Sequence, residues 1–212
     1  DNDGKLGRAV VNNKTIPTII DTYYNLDSVI DRPTIVSINS RSQHSLALDE
    51  NGFVYSWGND NVPGRLGRPT VNYNDSKPTR IDTFKNSVGN TITTPNIVAI
   101  SCGYKHSLFL DKNGKVYSCG DGEWGQLGNG KSIDTHTYAN DELLPTRIDT
   151  FKNLDGSTIT TTPVIVAISI NEDYSLLLDE NRYVYSCGNG GQLGHGNTNH
   201  KSYPTRIDTY SN

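Results

Sequence analysis

The sequence predicts an all-β protein built from repeats. Three observations carry that reading. A strand-like block occurs three times, as "HSLALDENGFVYSWG" at 44–58, "HSLFLDKNGKVYSCG" at 106–120 and "YSLLLDENRYVYSCG" at 174–188. Within each block, β-branched, aromatic and other apolar residues partly alternate with polar ones, the period of a pleated strand. Between the blocks lie segments punctuated by Gly and Pro, with no sustained helical period.

Each unit resolves into elements in order. A short apolar run comes first: "TIVSI" (34–38), "NIVAI" (96–100) or "VIVAI" (164–168). Two strands follow, such as "SLFLD" and "KVYSC". Asn51-Gly52 and Asn113-Gly114 separate them and predict a tight turn with positive φ at both central residues. Asn181-Arg182 in the third copy predicts a different turn. Then comes a glycine-rich loop, "GRLG" (64–67) or "GQLG" (125–128 and 191–194), with "GKLG" (4–7) as a fourth copy. "PTRIDT" follows at 78–83, 145–150 and 204–209, and "PTIIDT" at 17–22 belongs to the same series. Its Pro suits the first residue of a strand or a sheet edge. Four strands per unit place strand sets at 17–58, 78–120 and 145–188, with a partial set at 204–212. The blocks step from 44 to 106 to 174, intervals of 62 and 68 residues, the mark of a repeat architecture. Segments 84–96 and 151–163 resemble each other and predict a shared structural job.

Composition narrows the function. The 212 residues carry a formal net charge of -4, and the pI near 5.7 argues against a nucleic-acid partner. No apolar run is long enough to cross a membrane and no signal-peptide pattern is present, so no membrane partner is expected. The absence of Met marks a processed product or a fragment. Three Cys, an odd count without metal spacing, suit a reducing compartment, cytoplasm or nucleus. The sequons Asn13-Lys14-Thr15 and Asn74-Asp75-Ser76 matter only in a secreted chain.

Two stretches invite a nucleotide. "GQLGNGKS" (125–132) fits the phosphate-loop pattern, and "GDGEWG" (120–125) fits the dinucleotide one. The repeat already explains Gly125, Leu127 and Gly128, which leaves Gly130, Lys131 and Ser132. No helix is indicated after them to face a phosphate, so no cofactor is expected. His44 and His106 share a repeat position with Tyr174, a swap that catalysis or metal binding does not tolerate. They are expected to pack and hydrogen-bond inside the blade. Asp49, Asp111 and Asp179 are expected to support turns. Cys119 and Cys187 take the place of Trp57 as small core residues. His136, His195 and His200 lie in variable loops, without a Cys or carboxylate at ligand spacing. Catalytic, cofactor-binding and metal residues are therefore all assigned as none, and no enzyme active site is expected in this chain. Partner binding should fall on the segments that differ between units: 59–77, 131–144, 84–96 and 151–163.

"CGYKHSLFLDKNGKVYSCGDGEWGQLG" (102–128) resembles the repeat of the regulator of chromosome condensation family. That repeat carries Gly-x-x-His-Ser, a hydrophobic strand, an Asp-x-x-Gly turn, Val-Tyr-x-Trp-Gly and Gly-Gln-Leu-Gly. Cys119 stands where Trp is usual, whereas "SQHSLALDENGFVYSWG" (42–58) keeps it at Trp57. Tyr174, Arg182 and Cys187 depart from the pattern in the third copy. The resemblance implies a β-propeller of blades with four antiparallel strands, usually seven in the ring. Residues 1–212 would then form one repeat domain, a fragment of about three repeats and a partial arc. Its terminal strands are expected to expose unpaired edges open to self-association. The implied function is a protein–protein interaction scaffold without catalysis in this chain. The first alternative is guanine-nucleotide exchange on a small GTPase, as the founding member performs toward Ran. The second is a structural component of a larger assembly, a virion included. The family's repeats also accompany ubiquitin-ligase and kinase domains. With only Trp57 and Trp124 present, the clustered tryptophans of the ultraviolet photoreceptor branch are missing.

Overall fold

The apolar runs pair into antiparallel ladders in a computed structural model that describes residues 5–7, 18–25, 29–30, 32–70, 74–131 and 141–208. Sheet 1 contains β1 (Tyr23–Tyr24), β2 (Val29–Ile30), β3 (Ile35–Arg41), β4 (His44–Asp49), β5 (Val54–Asn59) and β6 (Asn74–Arg80), in the order β2-β1-β6-β5-β4-β3. Sheet 2 repeats the arrangement with β7 (Phe84–Lys85), β8 (Thr91–Ile92), β9 (Ile97–Cys102), β10 (His106–Asp111), β11 (Val116–Gly120) and β12 (Glu142–Ile148). Sheet 3 contains β13 (Ile165–Ile170), β14 (Tyr174–Asp179), β15 (Val184–Gly188) and β16 (Lys201–Arg206). Each sheet thus has a core of four antiparallel strands, the blade of a β-propeller. Among the described residues no helix is long and apolar enough to cross a membrane.

The sheets divide the chain differently from the strand sets 17–58, 78–120, 145–188 and 204–212. The strand holding Pro-Thr-Arg pairs with the Val-Tyr-Ser strand before it: Arg80 with Tyr55, Arg147 with Tyr117, Arg206 with Tyr185. It closes its own unit instead of opening the next, and 204–206 completes blade 3; residues 209–212 lie outside the described ones. The physical reason is the hairpin rule: strands consecutive in the chain and joined by one loop pair antiparallel as neighbours. Pro78, Pro145 and Pro204 sit within these strands, beside the register shift that skips their partner.

The two similar segments do share a job. Residues 84–92 form the β7–β8 hairpin, which joins the outer strand β12 in parallel at Lys85 and Thr146. In 151–159, Lys152 bridges Thr158 antiparallel and Thr205 parallel, the same device in blade 3. Tyr23, Phe84 and Phe151 anchor these hairpins. Each meets a strand tyrosine edge to face: Tyr55 at 5.1 Å, Tyr117 at 5.4 Å and Tyr185 at 5.3 Å.

The turns also differ from expectation. Asp49 Oδ1 accepts from the amides of Asn51 and Phe53, both at 2.9 Å. Gly52 alone has positive φ, at 83°, so the connection is a three-residue loop ending in a glycine bulge. The carboxylate competes successfully for the amides that a two-residue turn would leave free. The third turn is the same one, not a different one: Tyr183 N donates to Asp179 Oδ1 at 2.8 Å, and Arg182 sits at φ 69° where the others have glycine.

Alternation along the strands sends side chains to two faces, and both faces of the middle sheet are covered. Leu46, Leu48 and Val54 point forward onto Ile97, Ile100, Phe109 and Tyr117. Leu108, Leu110 and Val116 point forward onto Ile165, Ile170, Leu177 and Tyr185. Blades therefore stack face to face. Beyond blade 3 the burial alternates along β14: Ser175, Leu177 and Asp179 are buried, while Leu176 and Leu178 are partly open. On blade 1, Ile38 is 76% exposed, whereas its counterpart Ile100 is 7% exposed. The terminal blades thus leave apolar faces open, which the expectation of open edges did not include. Hairpins cover the outer edges of sheets 1 and 2, while β3, β9 and β13 stand at the opposite edges with one hydrogen-bonded neighbour each.

Candidate functional site

The repeated polar residues meet at the junctions between blades. His44 Nε2 lies 2.9 Å from Ser107 Oγ of the next sheet, and His106 Nε2 lies 3.0 Å from Ser175 Oγ. The bond crosses between blades, where an intrablade bond was expected. Ser107 Oγ donates to the Arg65 carbonyl at 2.9 Å, and Ser175 Oγ to the Gln126 carbonyl at 2.8 Å. Both carbonyls belong to the glycine-rich loop of the preceding blade. Burial drives the His44 imidazole down to about 3, with Arg65 and His106 adding to the shift. Burial alone drives His106 down to about 3. A His–Ser pair at this distance has the geometry of a base and nucleophile, but the serine proton is committed to a carbonyl. His106 and Ser107 are 0% exposed, so no substrate reaches either. The pair is a latch between blades. Tyr174, at the equivalent place in blade 3, instead accepts from Asn171 Nδ2 of its own blade at 3.1 Å.

The other repeated polar residues are equally structural. The carboxylates of Asp49, Asp111 and Asp179 hold the turns and also accept from Tyr55 at 3.2 Å, Tyr117 at 3.5 Å and Tyr185 at 3.1 Å. Burial, helped by Asp111, pushes the Tyr117 phenol up to about 12. Cys119 and Cys187 are fully buried, and Cys102, Cys119 and Cys187 are all free thiols.

The phosphate-loop pattern folds into a junction. Gly125 and Gly130 have positive φ, and a Cβ at Gly130 would stand 2.1 Å from the Tyr203 ring of the next blade. Two amides of the loop are taken: Gly128 N by Gly125 O at 2.9 Å and Gly130 N by Ser202 O at 2.8 Å. Lys131 Nζ is paired with Glu142 Oε1 at 2.9 Å. His195 is buried with Nε2 2.9 Å from Ser186 Oγ, and His200 Nδ1 accepts from Gly190 N at 3.0 Å. Trp124 of the preceding blade lies against His200, ring centroids 5.0 Å apart. Asn74, at the start of β6, accepts from Asn59 Nδ2 of β5 at 2.8 Å. His136, Ser132 and Asn13-Lys14-Thr15 lie outside the described residues.

Charge collects where blades 2 and 3 meet on the rim of the β9–β10, β11–β12 and β13–β14 connections. Lys105 Nζ is 3.3 Å from Asp121 and 4.0 Å from Glu123. Burial works against its charge, but Asp121, Glu123 and Asp173 outweigh it and raise the ammonium. Burial raises Asp173 as well, and lifts the Asp141 carboxyl to about 6. Arg41 of blade 1 reaches Glu172 of blade 3 at 3.6 Å, and Tyr104, next to Lys105 in the chain, is 44% exposed. Sequence reasoning passed over this rim. The signal was present: Gln43, Lys105 and Asp173 occupy one repeat position, directly before the repeated His or Tyr.

Comparison with known proteins places this geometry. The chain is 31% identical to a Protein RCC2 homolog of Xenopus laevis over 98% of its length and 39% of that relative's. It is 30% identical to the human Probable E3 ubiquitin-protein ligase HERC3, over 83% of this chain but 15% of that one. It thus spans about two fifths of the RCC2 relative and a small part of the ligase. Among solved structures, Prp20p from Saccharomyces cerevisiae matches with a TM-score of 0.60 and 23% identity, covering 82% of this chain and 38% of that one. A model of the regulator of chromosome condensation (RCC1) repeat matches residues 51–110, 113–174 and 183–212, and a second model of that repeat matches 97–126. The chain belongs to the regulator of chromosome condensation repeat family.

Proposed function

We propose that the chain is one repeat domain, an arc of a larger propeller ring, and that the ring is a protein–protein interaction scaffold. A repeat propeller of this family suits protein interaction. One observation carries the finer reading. Residues that recur between units hold the blades together, while residues that differ, Lys105, Glu123, Glu172 and Asp173, gather with Tyr104 on one rim. Repeat scaffolds present variable side chains on a fixed frame in this way. No catalytic step is assigned to the chain, and its three free, buried thiols fit the cytoplasm or nucleus. Guanine-nucleotide exchange on a small GTPase is the alternative. It rests on likeness to Prp20p, a structure described with its binding properties to Gsp1p and histones. A structural place in a larger assembly, such as a virion, rests on the open faces alone.

Reversing the rim charges tests the scaffold reading. Lys105→Glu with Glu123→Lys and Asp173→Lys, in the longest chain that contains these repeats, should leave the unfolding midpoint nearly unchanged. Quantitative affinity recovery should lose its bound proteins. Unchanged recovery, with loss on altering the opposite end at Glu50, Lys112 and Glu180, would overturn the rim as the contact surface. Accelerated release of a fluorescent guanine nucleotide from a small GTPase would favour the alternative.

A further inference from the structure

Two blade junctions are built alike, and the forward face of blade 3 is not. Its Leu176, Leu178 and Val184 are partly open, although their counterparts Leu46, Leu48, Val54, Leu108, Leu110 and Val116 are each at most 3% exposed. At the built junctions the turn glycine receives the next blade. Ile97 N donates to Gly52 O and Ile165 N to Gly114 O, both at 3.1 Å. A Cβ at those glycines would stand 2.5 Å from Asn96 Oδ1 and 2.6 Å from a Val164 methyl, with the Ile97 and Ile165 amides 3.0 and 2.9 Å away. Blade 3 has Arg182 there, so a following blade cannot seat in the same way. The histidine latch is also missing, because Tyr174 is engaged within its own blade.

Arg182 is exposed, held at φ 69°, and its side chain has no ion pair or hydrogen bond among the described residues. A non-glycine residue in this region carries a backbone strain. An unpaired cation standing at the margin of an open apolar face calls for an anion on whatever covers that face. A second copy of this chain does not supply one. Its blade 1 presents Thr34 at the facing position, and its Lys5–Gly7 segment already occupies the place of an incoming glycine loop, with Lys5 O accepting from Trp57 Nε1 at 2.8 Å.

We propose that this face takes the next blade of the same ring through an ion pair to Arg182, with a carboxylate where Asn96 and Val164 stand at the other junctions. This rests on the reading of the chain as an arc. Joining a second copy of residues 151–209 after Thr209 supplies such a blade. It can carry either the native counterpart of Val164 or a Val164→Asp change in the added copy, each combined with Arg182 or Arg182→Gly. With Arg182, the Asp version should unfold about 2–4 °C above the Val version. With Arg182→Gly the order should reverse. If none of the four chains unfolds above residues 1–212, the arc reading and this assignment both fail. If all four gain equally, or the Asp version is the lower with Arg182 present, the arc stands and the assignment to Arg182 is overturned.

Discussion

His44 Nε2 and Ser107 Oγ, 63 positions apart in the chain, lie 2.9 Å apart across a blade junction, and both are buried. The pair recurs 62 residues on as His106 and Ser175 at 3.0 Å. The neutral imidazole donates from Nε2 to the hydroxyl oxygen, and the hydroxyl proton goes on to a loop carbonyl of the first blade, while Nδ1 of each histidine is buried without a hydrogen-bond partner among the described residues. Each latch therefore ties two strands and a loop.

His106→Ala should destabilise the protein by about 1–3 kcal/mol, since it leaves buried Ser175 short of a partner and opens a cavity. Ser175→Ala should lose less alone. The double variant should fall short of the sum, because one bond is removed twice. Additive losses in chemical denaturation would show that the latch contributes nothing.

The latch sets a pH dependence. Folded His44 and His106 titrate at about 3, whereas an unfolded histidine titrates near 6.5. Between those values the unfolded chain binds more protons, so stability is full above roughly pH 6.5 and falls as pH drops toward 3. Each histidine contributes a slope of at most about 1.4 kcal/mol per pH unit. Asp141, raised to about 6, acts oppositely, favouring the fold as pH falls from 6 toward 4. His106→Gln should flatten the net slope. An unfolding midpoint constant from pH 7 to 4.5 in the parent chain would contradict the buried neutral imidazoles.

Gly125→Ala and Gly191→Ala change the same repeat position with opposite surroundings. A Cβ at Gly125 meets Lys201 O at 2.8 Å with φ at 82°, while at Gly191 nothing lies within 4 Å. The first should cost more than about 2 kcal/mol, and the second should stay within about 0.5 kcal/mol. Equal effects would mean that blade 2 does not pack on blade 3 as described.

"GQLGNGKS" should bind no nucleotide. The Gly125, Gly128 and Gly130 amides and the Lys131 ammonium are engaged within the fold. Calorimetric titration with ATP or GTP and Mg²⁺ should show no saturable heat. Micromolar binding lost on Lys131→Ala would reverse the reading.

The strands and turn carboxylates were legible because they are local. Alternation in "SLFLD" and the Asp-x-x-Gly spacing act within a few residues. What misled was phase. "PTRIDT" reads equally well as the start of one unit or the end of another, and only the Tyr55–Arg80 pairing decides it. The Asn-Gly pair suggested a two-residue turn because the competition from the Asp49 carboxylate is not visible in a dipeptide. The latch was half visible: the recurrence of His44 and His106 marked a structural role, but the partner serine belongs to another repeat.

The β7–β8 hairpin enters the chain before the rest of blade 2, yet the strand it joins, β12, comes about 60 residues later. A ribosome adding roughly 5–20 residues per second finishes that strand some 3–12 seconds after the hairpin. During that interval Phe84 has no Tyr117 to meet, and the apolar side of the nascent blade is bare. Each repeat therefore waits with that side bare until its last strand arrives, so it is the emerging chain, more than the finished fold, that holding chaperones would meet. Protection of Phe84 in stalled chains with β12 still inside the ribosome and with β12 just emerged from it would register that step directly.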